Sequence, residues 1–274
     1  VSLAGAASTN LISRSIKNTI QNLDFGTNPL NITSDSQSSA NSTAAAIGLS
    51  VGIGENTNLS FPGSLAFNFN NPDQPNNNIA GSINNVSAEK LEGLKLKTTQ
   101  SGQSNVIAGS LGIASNPLRD TAPTPSDAPN VAATIGFSVA VNDLSTNTES
   151  KVNESNLYYD SQATASINID ATSDAHLTAV SISGSGSSTG GSTSQVGMSS
   201  YAVAGAGAGA QNTYNNPIQA SINESAIQPS DTTKTTGQAD VTINAETSEE
   251  ILSITGGVSI ALANAKLGNS NSTA

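Results

Sequence analysis

A chain whose segments match one another at a fixed spacing must place equivalent residues in equivalent surroundings, which narrows its folds to stacked arrays. Val152-Asn153-Glu154-Ser155 and Ile222-Asn223-Glu224-Ser225 stand 70 residues apart (222 − 152), as do Asn142 and Asn212, and Leu157 and Ile227. Ile167-Asn168-Ile169-Asp170-Ala171 matches Val241-Thr242-Ile243-Asn244-Ala245 at a spacing of 74 (241 − 167), as do Leu177 with Ile251 and Val180 with Ile254. The step from 70 to 74 predicts a four-residue loop insertion within Ser230 to Thr236.

Earlier copies are visible. Ile83-Asn84-Asn85 precedes Val152-Asn153-Glu154 by 69, and Leu94 to Thr98 precedes Ile167 to Ala171 by 73. Ile47-Gly48-Leu49-Ser50-Val51 matches Ile135-Gly136-Phe137-Ser138-Val139, Ser2 to Ala6 resembles Tyr201 to Ala206, and Leu30 to Ser34 resembles Leu94 to Thr98. Gly256 to Leu262 reads as the start of a further unit. The pattern is cut at both ends, so we expect a single segment, 1–274, of a longer array, or a subunit that stacks end to end.

Within the units, runs such as Val139-Ala140-Val141 and Ser259-Ile260-Ala261-Leu262 alternate with period two, the mark of strands with one buried face. Polar clusters such as Ser183 to Thr193 and Gln211 to Pro217 separate them. The one helix candidate is Leu11 to Leu23, with Ile12, Ile16 and Ile20 spaced by four; the repeat alignment favours strands there. Aromatic residues are 3% of the chain and charged residues 11%, too little for a broad globular core but enough Val, Ile and Leu for a narrow one. Small residues at Ala204, Ala206, Ala208 and Ala210 suit the inside of a tube.

The expected fold class is therefore all-β, a right-handed parallel β-helix with three-faced coils. Coils of roughly 20–25 residues make each unit about three coils. The chain would then form about 11–13 coils, ~50–60 Å long. Two proline- and asparagine-rich insertions, 61–78 and 116–130, are expected to leave the body as loops. Equivalent polar residues at turns (Asn142 and Asn212, Asn153 and Asn223, Ser155 and Ser225) should align up the stack and hydrogen-bond there.

With the units laid out, the sequence resembles the repeats of very large secreted leukotoxin and filamentous-adhesin exoproteins of Gram-negative bacteria. The resemblance is carried by Ala133-Thr-Ile-Gly-Phe-Ser-Val-Ala-Val-Asn142, Val152-Asn-Glu-Ser-Asn-Leu157, Ile167-Asn-Ile-Asp-Ala171 and Leu177-Thr-Ala-Val-Ser-Ile-Ser-Gly184. It implies a right-handed β-helix, export across the outer membrane, and a role in adhesion or cell–cell contact. It assigns no catalytic or ligand-binding residue.

Other chemistry is thinly represented. With a net charge of −11 and only 9 Lys and Arg, the chain lacks a basic footprint for nucleic acid or an anionic membrane surface, and no stretch is apolar enough to insert in a bilayer. Zero cysteines and one histidine exclude thiolate and multi-imidazole metal sites. His176 reads as a solvent-facing strand residue whose counterpart is Glu250. Asp170, Asp174 and Glu154 read as solvated turn residues, Lys95 and Lys97 as outer-face residues beside Leu94 and Leu96, and Phe61, Phe67 and Phe69 as packing their own loop. No catalytic residue, metal or cofactor is expected. The expected function is an extracellular or cell-surface stalk or adhesive segment, whose partners are neighbouring repeats or copies of itself end to end, with a host-cell surface or glycan as an outside partner. The alternative is a self-assembling fibre subunit. A carbohydrate-active enzyme would need paired carboxylates, and an ice-binding solenoid would need a flat threonine array; neither pattern is present.

Overall fold

The computed structural model describes residues 1–54, 57–70, 78–117, 129–190, 200–233, 236–263 and 270–273. These form fourteen strands and no helix. β1 (Ser2–Ile12), β4 (Thr57–Asn70), β6 (Asn130–Ser145), β10 (Ser200–Asn215) and β14 (Ser270–Thr273) make one parallel sheet, in that order. The second sheet contains β2 (Ile16–Asp24), β3 (Leu30–Ile53), β5 (Asn78–Asn116), β7 (Asn147–Asn153), β8 (Asn156–Tyr159), β9 (Thr164–Thr189), β11 (Ile218–Asn223), β12 (Ala226–Pro229) and β13 (Gln238–Ala263). The strand pairings among the described residues are parallel, so the molecule is a parallel β-solenoid.

The ladder register reads out the repeat directly. Asn142 pairs with Asn212 and Val152 with Ile222, 70 residues on; Ile167 pairs with Val241, 74 on; Ile83 pairs with Val152, 69 on. Each strand therefore hydrogen-bonds to its own equivalent in the next repeat, and one repeat is one coil. The expectation of three short coils per repeat is corrected. The described chain makes four layers and opens a fifth at β14, which at ~4.8 Å per layer gives a stack only ~20 Å tall rather than ~50–60 Å. The coils are wide because β5 runs through 39 residues with its alternation nearly unbroken. The link from β12 to β13 (230–237, eight residues) is four longer than that from β8 to β9 (160–163), which absorbs the step from 70 to 74.

Three further expectations change. Phe61 to Asn70, expected in a loop, belongs to β4, sandwiched between β1 and β6. The rest of that insertion, 71–77, and 118–128 of the second lie outside the described residues. Ile47 to Val51 and Ile135 to Val139 are not equivalent layers: the first lies in β3 and stacks under Gly109 to Ile113, the second lies in the other sheet. Finally, Leu94 stacks on Ile32 rather than Leu30, and Ser2 reaches Ala204 through Ser60 and Thr134, so both N-terminal alignments slip by two or three residues.

Each coil encloses two compartments. In the first, β5 up to about residue 98, β7, β8 and the start of β9 surround Ile83, Val86, Leu91, Leu94, Leu96, Val152, Leu157, Ile167 and Ile169, all at most 2% exposed. Burying each such aliphatic side chain stabilises the fold by about 1.5–3 kcal/mol. In the second, the five-stranded sheet lies against the distal halves of β3, β5, β9 and β13. Its interior holds Ala44, Ala66, Val106, Ala108, Ala140 and Ala179, with buried Ser60, Ser64, Ser138, Ser181 and Ser183. The two sheets come so close that a Cβ on Gly48 would overlap the Gly63 carbonyl.

Candidate functional site

The repeat-equivalent polar residues fall in two places. Asn10, Asn68, Asn142 and Asn212 form one column through four layers. Asn142 is fully buried inside β6, not at a turn. Its amide donates to Asn212 Oδ1 (2.6 Å) and to the Thr178 carbonyl (3.0 Å) on the facing sheet, while its Oδ1 accepts from Asn68 (3.2 Å) and Ser104 (2.8 Å). The column pins the two sheets together as well as stacking the layers. Asn212, in the fourth layer, donates to the Leu252 carbonyl at 2.8 Å.

The second place is a corner of the aliphatic compartment. Asn84, Asn153 and Asn223 stack, with amide-to-carbonyl bonds of 2.9 and 3.1 Å. The next residue in every layer, Asn22, Asn85, Glu154 and Glu224, has positive φ, between 46° and 56°. A left-handed residue at the same point of each coil makes the turn. Ser225 Oγ accepts from Ser155 N–H at 3.1 Å, and Ser155 Oγ accepts from Val86 N–H at 3.2 Å, so the serines tie successive corners together. These six residues thus do structural work at two separated positions.

Between the compartments lies a polar seam. Gln100, 2% exposed, accepts from Thr146 and Thr148 and donates to the Tyr214 hydroxyl at 3.1 Å. Arg14 donates to the Ser101 carbonyl at 3.3 Å; burial pushes its guanidinium below its ordinary value, against the opposing pull of Tyr214. The seam encloses about 20 Å³, room for one water. At its outer end His176 Nε2 lies 3.4 Å from Asp174 and Nδ1 lies 3.1 Å from Glu250, its partner in the next layer. Nearby, burial works to raise the Glu149 carboxyl, but Lys151 at 2.9 Å, Asn147 and Lys17 outweigh it and hold it below its ordinary value. Among the described residues no cluster of three His, Asp or Glu side chains is arranged to hold a metal. A shallow depression of about 600 Å³ beside Lys90, Tyr158 and Asp160 faces solvent.

A larger surface feature was not recognised in the sequence. Segments 1–13, 36–54, 57–70, 98–117, 129–142, 177–190, 200–223 and 251–263 contain no Asp, Glu, Lys, Arg or His. The fold gathers most of these segments into the second compartment, a slab free of charge. Inside it are Ala, Ser, Gly and Asn; outside it are Ile47, Leu49, Ile107, Leu111, Ile113, Ile135, Phe137 and Ile182, each 43–75% exposed. Phe67 and Phe69, expected to pack a loop, stack on each other on the outer side of β4 with centroids 5.3 Å apart. The missing charges were the signal that could have revealed the slab.

Comparison with protein-family models, with curated proteins and with solved structures finds no match.

Proposed function

We propose that this chain is a structural segment of an extracellular or cell-surface β-solenoid, acting as a stalk or adhesive spacer. The observation that carries the reading is the one-repeat-per-coil register: each added repeat extends the stack by one hydrogen-bonded layer, a construction suited to reach and rigidity. The well-partnered polar groups of the interior, the Asn142 column above all, are spent on holding layers together. The resemblance of the repeats to those of secreted leukotoxins and filamentous adhesins points the same way. Antibodies raised against the chain should label intact, unpermeabilised source cells or their culture medium. Label confined to the cytosol would contradict the reading.

A second reading, a fibre subunit, is favoured by the open strand edges. Among the described residues β3 pairs only with β5, and β13 only with β9, leaving 24- and 26-residue edges at opposite ends of the stack. Unpaired edges of this length template further strands. Electron microscopy of the purified chain distinguishes the two: filaments lengthening along the stack axis support the fibre, discrete particles the stalk.

A further inference from the structure

We draw no further inference here: the strongest candidate, the charge-free outer face of the slab on which Ile107, Leu111, Ile113 and Ile182 are each 43–56% exposed, is an apolar face, and nothing in the structure shows what covers it.

Discussion

The two halves of β5 bury opposite kinds of side chain. Around Leu94 and Leu96 the strand turns large aliphatic residues inward and Lys95 outward. Around Ser104 to Gly112 it turns Ser, Ala, Gly and the single Val106 inward and Ile107, Leu111 and Ile113 outward. The first half builds an ordinary core, stabilised by apolar area removed from water. The second builds a thin slab held by close sheet approach and cross-sheet hydrogen bonds such as Ser138 to Ser181 at 2.7 Å. Period-two alternation fixes that one face is buried; it does not fix which residue size belongs inside.

That difference can be broken from both sides, by urea denaturation followed by circular dichroism. Ile169→Ala in the aliphatic compartment should cost about 3–4 kcal/mol by opening a cavity. In the slab enlargement is the damaging change: Ala140→Leu should cost about 2–3 kcal/mol by overpacking, whereas acceptance of Leu without loss would contradict the close approach of the two sheets. The polar columns separate next. Asn142→Ala strands buried partners on both sheets and should cost about 2–3 kcal/mol, while Asn153→Ala, at a more open corner, should cost about 1 kcal/mol or less. Equal losses would remove the distinction between an inner and an outer ladder.

The smaller effects concern two carboxylates outside the slab, Glu154 and Glu149. Glu154→Asn places at the left-handed corner the residue already present at positions 22 and 85, and should stabilise by up to about 1 kcal/mol. It also removes a like-charge neighbour from the Glu224 column. The depressed Glu149 carboxyl contributes stability that is present above the ordinary carboxylate range and is lost as pH falls through its lowered folded value. Glu149→Gln should therefore be less stable than the parent at neutral pH and converge with it in acid; a constant gap across the titration would contradict the assignment.

Much of this was legible in the sequence. Spacings of 69, 70, 73 and 74, drawn from Ile83, Val152, Leu94, Ile167 and their partners, are the spacings of the hydrogen-bonded ladders. The coil size was not, because strands of typical length are far shorter than the 39 residues of β5, and nothing in its alternation marks where it turns a corner. Phe61 to Asn70 looked like a loop for its proline, glycine and asparagine. In the slab, Gly63 is instead wanted because a Cβ there would run into the Phe137 ring, and Asn68 for the inner column. Asn142 looked like a turn residue because buried asparagine columns are invisible in a single repeat. The resemblance of Ile47 to Val51 and Ile135 to Val139 reflects two strands facing the same slab from opposite sides.

The central claim, one repeat per coil, is tested most directly by distance. Thr33 and Thr242 stand in one outward column, linked through Lys95 and Asn168 by three strand steps. Spin labels on Thr33→Cys and Thr242→Cys, in a chain without native cysteine, should be about 15 Å apart by double electron–electron resonance, allowing for label arms. A separation near 45 Å, the span of nine steps, would mean three coils per repeat and would contradict the account.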